Sequence, residues 1–396
     1  MAALRRFAWM GPLIVLAASA IACGQVTSSS LFEMLARVPQ AAVPANSVWA
    51  VARYANYEAL FAAEGATELR DLGDVARMME SLPLGAILNR VVAGPEAINY
   101  LSSGTGQMPD VVGFEWLVDV DSSLEFGDPP DLGLLLGGDF DAEAIGRALQ
   151  GRNFALEEIQ GVPVWHRLGD REISLQDRNP ADPFGGHLGA AARIALLPRM
   201  IANARSWPFI EAILAAGTGE LPSLAEDVGY RALATAVSEP EGMLIQALLF
   251  TGASLRVTDV PELSGDLALE PIDGLPWYSH AILADRQEGD DQVHLIGLVC
   301  SDRVTAQTAS FVLSGRLEAF HPPDQPEQVL AERYGATTRA SVIEFPEDNL
   351  AIALVEVRYP VPADRDDPDT GFYATLGPLF RAWVNAILRR EFSPLW

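Results

Sequence analysis

The 396-residue chain contains no lysine, and all 27 of its basic residues are arginine. This absence excludes every mechanism that requires a lysine amine. Schiff-base chemistry, pyridoxal phosphate attachment, the P-loop phosphate clamp, the protein-kinase lysine and the Ser-x-x-Lys acylases all depend on that group. Most enzymes driven by nucleotides are therefore excluded by composition alone.

Cysteine is almost as scarce, since Cys23 and Cys300 are the only two. Cys300 ends an apolar run over 294–300, which favours a buried small side chain over a nucleophile. No His-x-x-x-His or Cys-x-x-Cys pair occurs among the cysteines and five histidines, so no zinc site is predicted. His166 and His187 could meet in space, although scattered histidines are more often surface or hydrogen-bonded residues. Gly-x-Ser-x-Gly and Gly-x-Gly-x-x-Gly motifs are also missing.

Basic residues are also few compared with acidic ones. The 27 basic residues face 53 acidic ones, which gives a formal net charge of -26. A field of that sign repels nucleic acid and anionic lipid head groups. We therefore expect no nucleic-acid partner.

The N-terminus has the pattern of a secretory signal peptide. Arg5 and Arg6 precede an apolar stretch over 7–19, and Ala20-Ile21-Ala22 lead to Cys23. This end resembles the lipobox of bacterial lipoproteins, although that family usually has leucine where Ala20 stands. The resemblance implies cleavage before Cys23, lipidation of its thiol and an extracytoplasmic protein anchored to a bacterial membrane. The alternative is an ordinary signal peptide cleaved after Ala22.

The remaining chain is expected to form an α+β fold with two domains of mixed or antiparallel sheet covered by helices. Nearly half of the residues are hydrophobic (49%), enough for a sizeable core. Removal of 1–22 takes away two arginines and no acids, so the charge of the mature chain becomes -28. The expected division is a lipidated cysteine and tether over 23–30, an N-terminal domain over 31–252, a linker over 253–276 and a C-terminal β-β-α-β-β-α domain over 277–396.

Periodicity and capping patterns predict the individual elements. Capping boxes predict helices that begin near Ser30, Ser122 and Ser223, and Asp141 is expected to cap a helix over 142–150. A two-residue turn at 160–161 predicts a hairpin. Further strands are predicted over these ranges: 47–54, 111–120, 132–136, 173–176, 193–197, 243–250, 277–284, 292–299, 340–345 and 350–359. Further helices are predicted over 57–64, 75–92, 200–214, 303–320 and near the C-terminus.

The turn and strand residues carry a loose resemblance. The segments Gly138–Ile145, Gly161–Trp165 and Arg193–Pro198 are similar to those of uncharacterised bacterial membrane-anchored proteins. The resemblance covers the first domain and implies no catalytic residue. A weak internal similarity also relates 133–150 to 295–313, because each contains a strand, an acidic cap and a helix.

Asp119-Val-Asp121 superficially resembles the first motif of haloacid-dehalogenase-like phosphatases, in which the first carboxylate attacks phosphorus. That family needs a basic residue to hold the phosphate and a doubly wound sheet, and neither is identified in the sequence. The simpler interpretation is a strand end that leads into a capped helix.

A second acidic cluster lies near the C-terminus. Asp364, Asp366, Asp367 and Asp369 occupy one short loop, and carboxylate oxygens at this density can bind Ca²⁺. The spacing is not that of an EF-hand, since Pro368 stands at the fifth ligand position counted from Asp364. The alternative is a solvated acidic turn. Calcium is the one possible cofactor, and none is otherwise expected.

The sequence lacks catalytic motifs but has a clear lipidation signal. Together these features predict a non-catalytic binding or structural module of the cell envelope. Its partners would be the membrane, through the lipid, and an envelope protein or small molecule. One alternative is the solute-binding lipoprotein of a transporter, which would have two lobes of alternating β-α units. Another is an extracytoplasmic hydrolase that uses pairs of acidic residues.

Overall fold

We describe the fold from a computed structural model of the chain. The structure describes residues 30–44, 50–63, 90, 108–128, 130–238, 242–252, 274–321, 329–360, 372–389 and 392–395. The signal peptide, Cys23, the Asp364–Asp369 loop and the helix predicted over 75–92, apart from Arg90, lie outside these ranges.

Twelve strands of the described chain form one continuous sheet in which every neighbouring pair is antiparallel. The α+β class is therefore confirmed. The strands are β1 (Val51–Asn56), β2 (Val120–Asp128), β3 (Asp131–Gly138), β4 (Ala155–Ile159), β5 (Val162–Arg167), β6 (Ala192–Leu197), β7 (Met200–Ala204), β8 (Met243–Thr251), β9 (His280–Glu288), β10 (Asp291–Cys300), β11 (Thr337–Phe345) and β12 (Leu350–Tyr359). Their order across the sheet is β11-β12-β10-β9-β8-β1-β2-β3-β7-β6-β5-β4.

The helices of the described residues cover both faces of this sheet. They are α1 (Ser30–Leu35), α2 (Tyr57–Ala63), α3 (Met108–Val112), α4 (Trp116–Asp119), α5 (Ala142–Gly151), α6 (Trp207–Thr218), α7 (Val228–Val237), α8 (Arg303–Glu318), α9 (Leu330–Tyr334) and α10 (Phe372–Arg389). Helices α1, α6 and α7 cover one face with a single apolar cluster. On the other face, α2 to α5 cover the N-terminal half and α8 to α10 the C-terminal half, each with a cluster of its own.

The strand order is nearly symmetric about the β1–β8 pair. Outward from this pair, β1-β2-β3-β7-β6 on one side matches β8-β9-β10-β12-β11 on the other, and the β4–β5 hairpin extends the N-terminal half. Helices α5 and α8 follow β3 and β10, the third strand of each half, and lie on the same face. The weak sequence similarity between 133–150 and 295–313 falls on these two strand–helix units.

Local chemistry explains the elements that were predicted correctly. The Asp141 carboxylate accepts hydrogen bonds from the amides of Glu143 (2.9 Å) and Ala144 (3.0 Å) and so caps α5, as expected. Gln160 and Gly161 both have positive φ (53° and 78°), the conformation that a two-residue turn between twisted strands requires. The hairpin between β4 and β5 is thereby confirmed.

The segment 111–125 was predicted wrongly. The sequence pattern predicts a strand over 111–120, but α3 and α4 occupy this stretch and are separated at Gly113, whose φ is +83°. The predicted capped helix at Ser122 is instead strand β2, which pairs with β1 and β3 along its length. Two ladders of backbone hydrogen bonds outweigh the local capping pattern Ser-x-x-Glu.

Three smaller assignments also need correction. Met200–Ala204 is strand β7, not the start of a helix, because it pairs with both β3 and β6. Residues 173–176 form only a single bridge, from Ile173 to Ala190, followed by a 3-10 turn. Helix α7 begins at Val228 with Asp227 as its cap, five residues after the predicted start.

The two predicted domains share the sheet. Strand β8 of the first pairs with β9 of the second from Met243 to Thr251, and most of the expected linker lies outside the described residues. The division into two domains stays a prediction.

A buried polar network lies beneath the C-terminal half of the sheet. The fully buried Asp285 carboxylate accepts hydrogen bonds from the Arg90 guanidinium (3.1 and 3.2 Å), from Gln246 (3.1 Å) and from Gln292 (3.0 Å). Gln292 Nε2 also lies 3.1 Å from Nε2 of His294. These groups are buried away from water, so the ion pair and its hydrogen bonds take the place of hydration for Asp285, Arg90 and Gln292. Nδ1 of His294 has no hydrogen-bond partner among the described residues.

His294 is the titratable ring of this network. The rings of Tyr359, Phe380 and Trp383 pack around it with centroids 4.8 to 5.2 Å away, and its side chain is fully buried. Burial lowers the pKa of His294 to about 4, assisted by Arg90 and opposed by Asp285. The imidazole is therefore neutral at pH 7.

Candidate functional site

A pocket of about 510 Å³ opens at one end of the sheet, where several antiparallel strands end or begin together. The strands contribute the end of β1, the start of β2, the end of β3 and the turn between β6 and β7. Helices α1, α2 and α6 supply the remaining walls. The lining residues are Ser30, Glu33, Met34, Ala36, Arg37, Asn56, Glu58, Asp121, Ser122, Gly137, Gly138, Pro198, Arg199, Met200 and Gly217.

Two glycines allow close contacts around this pocket, one with a neighbouring backbone and one with a side chain. A Cβ on Gly138 would lie 1.9 Å from the carbonyl oxygen of Asp119, so only glycine fits at the end of β3. A Cβ on Gly217 would lie 2.4 Å from an Arg37 guanidinium nitrogen. Glycine in α6 therefore leaves room for the Arg37 side chain on the pocket wall.

Helix α1 is held against the strands at the same end. The Ser30 hydroxyl is hydrogen-bonded to the Tyr54 hydroxyl of β1. Leu31, Met34 and Leu35 are buried in the apolar cluster beneath α1. Asn56, at the end of β1, accepts a hydrogen bond from the amide of Ala59 (2.9 Å) and so fixes the first turn of α2. The pocket walls are thus positioned by buried side chains and caps.

Charged side chains of both signs line the pocket: three are carboxylates and two, Arg37 and Arg199, are guanidinium groups. Burial raises the pKa of Asp121, the charges of Glu58, Asp139 and Asp119 raise it further, and Arg199 lowers it. An Arg199 guanidinium nitrogen lies 3.5 Å from an Asp121 oxygen, and both side chains are partly exposed. Such an arrangement holds a carboxylate that can accept a hydrogen bond, bind a cation or exchange a proton.

Asp119 lies behind the pocket at the end of α4. It accepts a hydrogen bond from the Glu115 amide (2.7 Å), which partly offsets the effect of burial and of Asp139 in raising the pKa of Asp119. A helix precedes Asp119 and a strand follows it, which is the reverse of the order in the phosphatase motif. The structure therefore contradicts the context that the motif needs, although it does bring Asp121 into a pocket.

Arg199 has a strained backbone. Its φ of +53° lies in the left-handed region, in the two-residue turn Pro198–Arg199 that joins β6 to β7. A residue other than glycine carries an energetic cost in this conformation. The turn places the guanidinium beside Asp121.

Another polar array lies on the same face as α1 but serves a different purpose. His280 Nδ1 is 2.9 Å from the Ser279 hydroxyl, and His280 Nε2 is 3.5 Å from an oxygen of Asp227. The same Asp227 carboxylate caps α7 through the amides of Gly229 and Tyr230 and accepts a hydrogen bond from Gln40. Asp227 therefore joins the cap of α7 to Gln40 and lies beside His280.

The remaining residues singled out in the sequence do not join the pocket. Cys300 is buried, and burial raises the pKa of its thiol to about 12, as expected of a structural cysteine. His166 packs on the Trp207 ring with centroids 5.0 Å apart. Within the described ranges, no three His, Cys, Asp or Glu side chains are grouped closely enough for a metal ion. Cys23 and the aspartates at 364, 366, 367 and 369 lie outside those ranges.

Sequence reasoning missed most of the pocket. Glu33 belongs to the capping box at Ser30, but Arg37, Glu58 and Arg199 have no motif around them. The four side chains meet only because strands and helices from distant parts of the chain end at one place. No helix in the described residues combines the length and apolar character needed to cross a membrane.

Comparisons with known proteins add little. No protein-family model matches the chain, and no curated protein matches it either. Among solved structures, three crystal forms of TP0453 from Treponema show 8%, 9% and 9% sequence identity and TM-scores of 0.32, 0.34 and 0.32. These matches cover 87%, 81% and 80% of this chain and 97%, 91% and 94% of the other. Similarity at this level carries no argument about fold or function.

Proposed function

We propose that this chain is a lipid-anchored, extracytoplasmic binding protein of the bacterial cell envelope. Its ligand is a small polar or amphipathic molecule held in the pocket at the strand ends, and it catalyses no reaction. The observation that carries the proposal is the position of α1. This helix begins seven residues after Cys23 and lines the pocket with Ser30, Glu33 and Arg37.

The short tether sets where binding takes place. Seven residues span about 25 Å at most when fully extended, so a lipid on Cys23 would keep α1 and the pocket close to the membrane surface. A ligand released from the bilayer, or moving along it, would meet the pocket there. The mature charge of -28 gives the protein body no attraction to anionic head groups, so residence at the membrane would depend on the lipid alone.

The pocket supports a ligand with both polar and apolar parts. Its volume falls within the usual range for small-molecule sites, roughly 300–1,000 Å³. Met34, Pro198 and Met200 offer apolar surface, while the acidic side chains of the wall suit hydroxyl or amine groups of the ligand.

The test of the pocket is to identify what remains bound to the purified protein. Native mass spectrometry followed by solvent extraction would compare the wild type with Ala36→Trp, which fills the pocket from the turn that follows α1. Ala142→Trp, at an exposed position at the start of α5 that does not line the pocket, is the matched control. We expect one small molecule with the wild type and with the control, and none with Ala36→Trp. Equal retention by Ala36→Trp, or no bound molecule in any sample, would reject the pocket as the ligand site.

The test of the anchor is metabolic labelling with palmitate. We expect label in the wild type and none in Cys23→Ser, because only a thiol at this position can be lipidated. An unlabelled wild-type protein would show that Ala20–Cys23 is part of an ordinary signal peptide.

A second candidate function is hydrolysis with acidic side chains, favoured by the raised pKa values of Asp119 and Asp121. Chromogenic glycosides, esters and phosphate esters test it directly. Turnover by the wild type that is lost in Asp121→Asn would replace the binding proposal with a catalytic one. The absence of turnover on all three classes would leave binding as the function of the pocket.

A further inference from the structure

The two edges of the sheet differ in how well they are protected against another strand. Strand β4 has five residues and carries Glu157 and Glu158, and its neighbour β5 contains Pro163. Short length, repeated charge and proline all discourage edge-to-edge pairing. Strand β11 has nine residues and no proline, and every one of them is at least partly exposed. At about 3.3 Å per residue it offers an edge roughly 30 Å long.

Strand β11 pairs with β12 on one side and, within the described part of the chain, has no strand on the other. An edge of this kind presents backbone N–H and C=O groups in alternation, and these groups form hydrogen bonds most readily with another extended chain. The edge therefore selects a strand, not a helix or a compact small molecule.

Helix α8 builds a groove beside this edge. The groove has a volume of about 560 Å³, and β11 supplies its strand wall through Ala340, Ser341 and Val342. The helix wall consists of Arg303, Gln307, Ser310, Phe311, Ser314, Gly315 and Glu318. An ion pair between Arg303 and Glu344 (3.0 Å) connects the start of α8 to the end of β11.

Phe311 is the most unusual residue of this groove. Its side chain is 80% exposed, and Val304, two turns earlier on α8, is 73% exposed. Large apolar side chains in such positions gain free energy when a partner covers them, because their apolar surface is removed from water. The serines and glutamine around Phe311 can meet polar atoms of the same partner.

We propose that the outer edge of β11 and the adjacent flank of α8 bind an extended, basic peptide segment of a partner protein, which joins the sheet as one more strand. The backbone of the segment pairs with β11, and alternate side chains point toward α8, with an apolar residue on Phe311. This surface is independent of the pocket proposed above, because β8, β9, β10 and β12 separate β11 from the strands that line it.

Charge decides which extended segment fits. The groove lining contains one arginine and one glutamate, Arg303 and Glu318, so the preference for a basic segment comes from the net charge of the whole mature chain, -28. A second copy of the chain would bring another -28 to the interface. Pairing of β11 with β11 of a second copy is therefore disfavoured.

The test begins with a random-peptide phage library panned against the full-length protein. The enriched peptides, labelled with fluorescein, are then titrated by fluorescence anisotropy. We expect basic peptides with apolar residues at alternate positions. Phe311→Ser should weaken binding at least about tenfold, which corresponds to about 1.4 kcal/mol. Leu175→Ser is the matched control, because Leu175 is also highly exposed (73%) but lies far along the chain in the loop between β5 and β6.

Backbone pairing is tested separately from groove binding. Two versions of the peptide are made, with the backbone amides methylated at either the odd or the even positions. One version should lose binding and the other should bind almost as well as the unmodified peptide, because only one side of an added strand faces β11. Hydrogen exchange at 337–345 should slow when the peptide binds, while exchange in β4 should not change.

Several results would overturn the proposal. They are the enrichment of no peptide, equal affinity of the selected peptide for Phe311→Ser and the wild type, and unchanged exchange in β11. Thermal melts establish whether each variant is folded before its affinity is compared. A wild-type dimer by sedimentation that becomes monomeric in Phe311→Ser would assign the surface to a second copy and reject the peptide partner.

Discussion

Replacement of His294 by phenylalanine should remove a specific part of the pH dependence of stability. The imidazole is fully buried and neutral in the folded chain, with a pKa of about 4, while an unfolded histidine has a pKa near 6.5. As the pH falls below about 6.5, the unfolded chain binds a proton that the folded chain does not. The unfolded state is then favoured, so the stability due to neutral His294 is present above pH 6.5 and is lost toward pH 4.

The magnitude follows from the two pKa values. One pKa unit corresponds to about 1.4 kcal/mol, and the full shift therefore corresponds to roughly 3 kcal/mol. Between pH 7.5 and pH 5.0 most of this difference develops, so we expect the free energy of unfolding to fall by about 2 kcal/mol more in the wild type than in His294→Phe. Phenylalanine is suited to this position because Tyr359, Phe380 and Trp383 already surround the ring.

Urea unfolding of the purified protein at the two pH values measures this difference, with His321→Gln at an exposed position as the control. Only the difference between wild type and variant is informative. His280, whose pKa is lowered by burial, acts in the same direction, and Asp119 and Asp121, whose pKa values are raised, act in the opposite one. Parallel pH profiles for the wild type and His294→Phe would refute the reasoning. So would an NMR titration in which the His294 ring becomes protonated near pH 6.5 in the folded protein.

Three further outcomes are expected. If Asp364, Asp366, Asp367 and Asp369 bind calcium, millimolar calcium should raise the thermal midpoint above that measured with a chelator, because a ligand of the native state stabilises it. Equal midpoints would show that these residues form a solvated loop that binds no calcium. The unlipidated chain over 24–396 should not sediment with anionic vesicles at low or physiological salt, since its charge is strongly negative; strong binding would reveal a lipid-binding surface. Asp141→Ala should reduce the free energy of unfolding by about 1 kcal/mol, because two amides of α5 lose their acceptor. Asp139→Ala serves as the control. Equal urea midpoints for the wild type and Asp141→Ala would show that the cap contributes nothing.

Elements fixed by local chemistry could be predicted from the sequence. Helix α5 has a capping aspartate and a periodic apolar face, and the β4–β5 hairpin has its turn residues in place. Strand β2 could not be predicted in the same way. Its Ser-x-x-Glu pattern is indistinguishable from a helix start until its neighbours β1 and β3 are known, and β1 lies more than 60 residues earlier in the chain.

The pocket could not be predicted from local sequence either. Asp121 can be recognised in the sequence because it stands two residues after Asp119, which is a local pattern. Arg37 and Arg199 were missed, because their proximity is created by the order of strands in the sheet, and no spacing in the sequence records it.

The pairing of β1 with β8 has a consequence for folding during synthesis of the chain. Strand β1 is among the first elements to be synthesised. Its partner β8 is made much later, because Ala52 pairs with Leu249, and one edge of β1 therefore has no partner until about 200 further residues have been added. During that interval the half-built sheet exposes an interior strand as if it were an edge, in a state prone to self-association. We therefore expect a chaperone that shields β1 during this interval to raise the yield of folded molecules.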